Sequence, residues 1–285
     1  MGETKIEWAT TSWNPITGCT PISEGCKNCY AKRMAERLRG RYGYPSDKPF
    51  EPTFHPARLG EPAKWKKPRR VFICSMGDIF HETVPFEWMT KVFSVMREQK
   101  KHTFMVLTKR PARALEFFDW HKKTFGCAHG AEGCLAGNIW IGVTAENQVR
   151  ADERIPLLLQ IPAAVRFVSI EPMLGPVKLK KEWLNCPGIR RCDELKGGGG
   201  PQSRGEDTWC APPCPPRIEW VICGGETGPG ARPMRPDWAR SLRDQCEPPT
   251  IGVEFFFKQW GGCEYSQLLD GKEYNQYPER EKKYE

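Results

Sequence analysis

Residues Thr103–Trp120 read TFMVLTKRPARALEFFDW, and this stretch decides the fold class. Its first six residues are apolar or β-branched without alternation, the pattern of a strand buried on both faces. Lys109 and Arg110 end the run. Pro111 then stands where a helix starts, its fixed φ already suited to a first turn, so a helix is expected over Pro111–Trp120.

The same unit recurs outward in both directions. Strands are expected at Val71–Ser75, Ile139–Thr144, Val165–Ile170, Trp220–Cys223 and Val253–Phe257, with a shorter extended segment at Ser12–Thr17. Helices are expected at Tyr30–Leu38, Pro85–Lys100, Gln148–Leu159 and Pro236–Cys246. In the first of these, Ala31, Met34, Ala35 and Leu38 make one apolar stripe; in the second, Phe86, Met89, Val92, Phe93 and Met96 do the same. Repeated strand–helix alternation implies an α/β protein with parallel strands and crossover helices. A partial (β/α) barrel and a doubly wound sheet both satisfy that pattern.

Two stretches break the rhythm. Residues 184–217 hold GGGG, six prolines and Cys186, Cys192, Cys210 and Cys214, which reads as an insertion between barrel segments 1–183 and 218–262. Its four cysteines are candidate ligands for structural zinc, although their spacing is looser than that of usual zinc pairs. A smaller insertion, Lys122–Gly137, carries Cys127, His129 and Cys134. The charged tail 263–285 is expected to be peripheral.

The chain has 285 residues, 13 cysteines and a formal net charge of +8. It has no apolar run of the ~18 residues that a membrane helix needs. Its start, MGETKIEWATTSW, lacks the basic and apolar regions of a secretory signal. A cytoplasmic protein without a membrane partner is expected. In that compartment thiols stay reduced, so an odd, irregularly spaced set of cysteines points to metal ligation rather than disulfides. The positive charge suits a polyanionic partner.

The densest chemistry lies in WNPITGCTPISEGCKNCYAKRMAERL, where Cys19, Cys26 and Cys29 fall within eleven residues ahead of an amphipathic helix. Three thiols in a flexible loop suit an iron–sulfur cluster with one iron left open. Zinc is the competing occupant, with His81 or His55 as the fourth ligand.

The loop resembles the cluster loop of the radical S-adenosylmethionine (SAM) superfamily. The closer likeness is to phage and prophage radical SAM-like proteins, distantly similar to spore photoproduct lyase. It is carried by TSWNPITGC, CYA, VFICSMGDIFH, FMVLTKRP, IWIGVTAEN, RFVSIEPMLGP, WVICGGETGPGARPM and FFFKQWG. One feature departs from the superfamily's usual CxxxCxxC: six residues separate Cys19 from Cys26. Asn28 also stands where an aromatic is common, with Tyr30 following instead.

The resemblance implies a partial (β/α)6-type radical SAM barrel with a cysteine-rich insertion. It also implies a [4Fe–4S] cluster on Cys19, Cys26 and Cys29, and SAM as second cofactor. Tyr30, Ser75, Gly77 and Asp78 are then expected at the cofactor, Asp78 receiving the methionine amino group; a helix-capping Asp is the alternative. Thr144 with Glu146, and Ser169 with Glu171, place a hydroxyl and a carboxylate on one side of a strand end, suited to ribose hydroxyls or a substrate. Glu226 and Lys258 are the candidate catalytic residues. Arg232, Lys109, Arg110 and Gln259 would complete a charged mouth.

Basic stretches Lys32–Arg41 and Lys64–Arg70, interleaved with Tyr30, Tyr42, Tyr44 and Trp65, suggest nucleic-acid contact. The likeness extends this to an isomerase of amino-acid-modified thymidine in phage DNA, in an infected or lysogenic host. A flavodoxin or ferredoxin would supply electrons. A radical SAM lyase or methyltransferase, and a zinc-stabilised nucleic-acid-binding protein without catalysis, are the alternatives.

Overall fold

The computed structural model describes residues 4, 6–126, 137–184, 216–247, 253–262 and 266–278. Cys186, Cys192, Cys210 and Cys214, like Cys127, His129 and Cys134, lie outside these residues. Seven strands form one sheet: β1 (Thr11–Trp13), β2 (Arg70–Ile73), β3 (Thr103–Thr108), β4 (Ile139–Thr144), β5 (Val165–Ile170), β6 (Trp220–Gly224) and β7 (Glu254–Gln259). Each pairs in parallel with the next strand along the chain.

That consecutive order separates the two architectures left open above. A doubly wound sheet reverses its strand order at a switch point. Here it never reverses, so right-handed crossovers put the helices on one face and the sheet curls about the other. The result is an open half-barrel.

The helices are α1 (Tyr30–Arg37), α2 (Phe86–Glu98), α3 (Pro111–Phe125), α4 (Gln148–Leu158) and α5 (Pro236–Cys246), with one further turn at Lys181–Leu184. On the outer face, Met89, Val92, Phe93 and Met96 of α2 and Ala114, Phe117 and Phe118 of α3 join Val71, Ile73, Phe104 and Val106 in the main core. Alternate strand residues point inward. There Trp8, Phe72, Met105, Trp140, Phe167, Trp220 and Phe256 form a second core near the strand starts. Trp140 meets Trp220 edge-on at 5.9 Å between ring centroids, a geometry that adds to plain area burial.

Two expectations need correction. The segment Ser12–Thr17 is not one strand. It divides into β1 and the pair Ile16–Thr17 with Thr53–Phe54, because Pro15 lacks the N–H that a continuing ladder requires. The tail is not peripheral either. Leu268–Leu269 pairs with Lys272–Glu273, the Trp220 indole donates to the Gln276 carbonyl at 2.9 Å, and Tyr277 packs on the inner core. Its tyrosines and Leu269 supply apolar surface that the surrounding charges conceal. Among the described residues, no helix is long and apolar enough to cross a membrane.

Candidate functional site at the barrel mouth

The three-cysteine loop lies across the ends of the strands, where α/β barrels place their chemistry. It begins at Gly18, whose N–H donates to Met76 O at 2.9 Å and which bridges to Gly77. Gly18 has φ +91°, and a Cβ there would lie 2.2 Å from Glu51 O. Cys19 follows, with its N–H on Phe50 O at 3.0 Å. One turn, Glu24–Cys26, leads to Cys29, which stands at the N-cap of α1 without a side-chain cap bond. All three cysteines are free and partly exposed.

Side chains from four strand ends hold this loop. After β3, Arg110 donates to the Cys19 thiol at 3.2 Å and to Thr20 O at 2.9 Å, while its Nε contacts Glu82 at 2.8 Å. After β2, His81 Nε2 lies 2.9 Å from Thr20 Oγ1. After β4, Glu146 is fully buried; one oxygen accepts from Ser23 Oγ and from Gly25 N, and the other pairs with Arg154 Nη1 at 2.8 Å. Asn147 and Arg150 bind Glu24. After β6, Glu226 accepts from Asn28 Nδ2 at 2.8 Å and forms a two-armed ion pair with Arg232, which also reaches Glu24 O at 3.0 Å.

Beneath the loop and above the aromatic core, strand alternation directs Thr144, Ser169, Glu171, Gly224 and Lys258 into the lumen. Lys258 Nζ pairs with Glu171 at 2.6 Å and lies 3.8 Å from Glu7. Burial pushes Lys258 down, but Glu171 and Glu7 outweigh it and raise it above its ordinary value. The ammonium therefore stays charged. The Tyr30 hydroxyl donates to Ser75 O, closing the β2 side of the mouth.

The thiols have unequal electrostatics. Burial, with the Asp78 charge, pushes Cys19 up to about 11 despite Arg110. Burial also opposes ionisation of Cys26, but hydrogen bonds from Ile22 and Ser23 and the Lys109 charge bring it below its usual value. Among the described residues, no three His, Cys, Asp or Glu side chains close on one point as ligands for a single metal ion. His55 is bonded to Thr17, and His81 to Thr20 and Thr83.

The structure thus sorts the residues expected from the sequence into two groups. Cys19, Cys26, Cys29, Tyr30, Ser75, Ser169, Glu171 and Lys258 gather at the mouth and in the lumen. Glu146, Glu226 and Arg232 instead brace the loop. Asp78 is bonded internally, accepting from Thr108 Oγ1 at 2.8 Å, Phe80 N at 3.0 Å and Lys109 N at 3.1 Å; it caps no helix, since α2 starts after Pro85. Gln259 is buried, and its carbonyl receives Gly225 N. Tyr44 is buried and Trp65 packs on the main core, so neither ring is displayed. Lys64–Arg70 leads into β2, whose first residue is Arg70, at the opposite end of the barrel from the thiols. Sequence reasoning missed Arg154 and Asn28. Arg154 stands in the stripe Ala151, Arg154, Ile155 and Leu158 of α4, and a charge in an apolar stripe was the available signal.

Glu226 supports a pH prediction. Burial pushes its carboxyl up, but Arg232 and Asn28 pull it down further, to about 2 from an ordinary 4.5. A depressed folded-state value contributes stability above the unfolded value and loses it as pH falls through the folded one. Glu226→Gln is therefore expected to lower the urea midpoint at pH 7, with the gap to wild type closing between pH 4.5 and about 2. A gap independent of pH would remove the ion pair from the account.

Fold and site together define an α/β half-barrel protein with a three-thiol loop braced over a charged lumen. A family model described as a protein of unknown function, DUF5131, matches residues 3–279, and the chain belongs to that family. No curated protein and no solved structure matches it.

Proposed function

We propose that the protein is a radical SAM enzyme acting on a nucleic-acid-linked substrate. The observation that carries this reading is the placement of Cys19, Cys26 and Cys29 on one loop, held from four strand ends above a lumen with a charged pair. The donor set fits a [4Fe–4S] cluster: three soft thiols, two of them with N–H or O–H neighbours of the kind that tune cluster potentials. Cys19 has Arg110 at 3.2 Å and Cys26 has Ser23 Oγ at 3.8 Å.

Cys19, Cys26 and Cys29 would hold the cluster. When bound, it supplies the electron that cleaves SAM and so starts hydrogen abstraction from a substrate. The chain's own residues do the rest. Arg110, Glu146 and Glu226 fix the loop, and the aromatic core keeps water from the lower lumen. Thr144 and Ser169 carry buried hydroxyls on the lumen side of β4 and β5. Lys258 and Glu171 present opposite charges, matching the carboxylate and ammonium of an amino-acid substituent. Glu226 and Arg232 are committed to the loop and do not face the lumen in this role. The Lys258–Glu171 pair favours isomerisation of an amino-acid-modified thymidine over the lyase and methyltransferase readings.

The test is anaerobic purification followed by metal analysis, absorption near ~400 nm, and detection of 5′-deoxyadenosine after adding SAM and a reductant. Wild type is expected to carry iron and cleave SAM; Cys26→Ser should lose both. Zinc without iron at the loop, or undiminished cleavage by Cys19→Ala, would sink the proposal.

A further inference from the structure

The outer face of α1 is not absorbed by the site. Tyr30, Arg33, Met34 and Arg37 recur at i, i+3, i+4 and i+7, one side of the helix, and all four are exposed. Residues 27–41 carry six lysines and arginines against one glutamate. The helix starts directly after Cys29, so this face begins at the mouth. It touches the rim at two points. The Tyr30 hydroxyl reaches Ser75 O, and the Arg33 guanidinium stands where a Cβ on Gly228 would come within 3.0 Å of it.

Beyond the helix, Tyr42 is 76 % exposed on a backbone with φ 53°. A large side chain in the left-handed region is unfavourable and persists only where its surroundings impose it. Here Arg58 imposes it. Its Nη2 donates to Tyr42 O at 2.6 Å and its Nη1 to Asn14 O at 2.9 Å. The backbone is held while most of the side chain faces solvent. A solvent-facing ring on a held backbone, beside a row of cations, is an arrangement that grips a single strand, with phosphates on the arginines and a base on the ring.

We propose that α1 and the Tyr42 turn form a binding surface for single-stranded nucleic acid, which lays one unstacked base at the barrel mouth. The inference rests on the radical SAM reading for what the base is delivered to. Strand binding itself requires neither cluster nor SAM. Duplex is disfavoured because its bases keep their faces stacked away from both tyrosines.

The experiment measures fluorescence anisotropy of labelled 20-nucleotide oligo(dT), oligo(U) and a 20-base-pair duplex with the full chain across a salt series. Tyr42→Gly suits the positive φ and so removes the ring without endangering the fold; it is expected to weaken oligo(dT) binding about tenfold. Tyr42→Phe keeps the π face and should bind within about twofold of wild type. The pair Arg37→Gln with Arg41→Gln should reduce the log–log salt slope by ~1.4, from about 0.7 per phosphate on a single strand. Lys66→Gln with Lys67→Gln removes the same charge at the opposite end of the barrel and should match wild type. Tighter binding of oligo(U) would support the same surface with RNA as the strand. Absence of binding to either strand, equal or tighter binding of duplex, or equal losses in the two charge pairs would overturn the proposal. Strand binding by a protein that holds no iron and cleaves no SAM would sink the functional reading and leave this surface standing.

Discussion

Arg154→Met is expected to destabilise the fold by about 3–5 kcal/mol, the typical penalty for leaving one member of a buried ion pair without its partner. Glu146 is fully buried and Arg154 is 1 % exposed, so water does not take over when either is removed. The same guanidinium nitrogen donates to Thr144 O at 2.8 Å; the substitution therefore also strands a carbonyl at the end of β4. The consequence reaches the cysteines, because the other Glu146 oxygen receives Ser23 and Gly25. With its partner gone, Glu146 is no longer held in place, and residues 23–25 lose their anchor. Urea unfolding should report the stability loss, and faster alkylation of Cys26 in metal-free protein should report the loosened loop. Combining Arg154→Met with Glu146→Gln should recover part of the stability, since no lone charge is then buried. An unchanged midpoint together with an unchanged alkylation rate would refute the brace.

The second large effect is expected at Gly18. Alanine there meets two independent obstacles: φ +91°, and a Cβ position 2.2 Å from Glu51 O. Backbone strain of this kind and forced overpacking each amount to about 1–3 kcal/mol, so Gly18→Ala should destabilise by about 2–6 kcal/mol, their joint size. The oxygen it meets is backbone, which cannot swing aside as a side chain would. The shift must pass to Cys19 or to the Gly77 bridge, so on the proposed reading iron uptake by the loop should fall along with stability. Gly60→Ala is the control. A Cβ there has nothing within 4 Å, and the change should be neutral or slightly stabilising by reducing unfolded-chain entropy. Indistinguishable urea midpoints for the two variants would show that the close approach at Gly18 is not maintained in solution.

The strands were legible because burial on both faces leaves so little choice of residue. Thr103–Thr108, Ile139–Thr144 and Val165–Ile170 carry the boundaries expected from composition. Strand order was not legible, since alternation of strand and helix is shared by singly and doubly wound sheets. The cysteine loop was visible because three thiols in eleven residues have few structural explanations. The roles around it were harder to see. Glu146, Glu226 and Asp78 look like ligand-binding carboxylates at strand ends, and their positions were read correctly. What local sequence does not contain is the partner: Arg154 for Glu146, Asn28 and Arg232 for Glu226, Thr108 for Asp78. A carboxylate committed inside the protein and one offered to a ligand have the same local sequence; only tertiary contacts tell them apart. Tyr44 and Trp65 illustrate the same limit, as rings beside basic residues that turn inward.

The wall of indole and phenyl rings near the strand starts has a consequence for traffic. The lumen is closed on that side, so nothing that enters past the thiol loop leaves through the strand starts. The single strand proposed above could not thread through the strand starts and would run along the rim, presenting one base at a time. On the enzymatic reading proposed above, one unit would have to withdraw before the next is admitted.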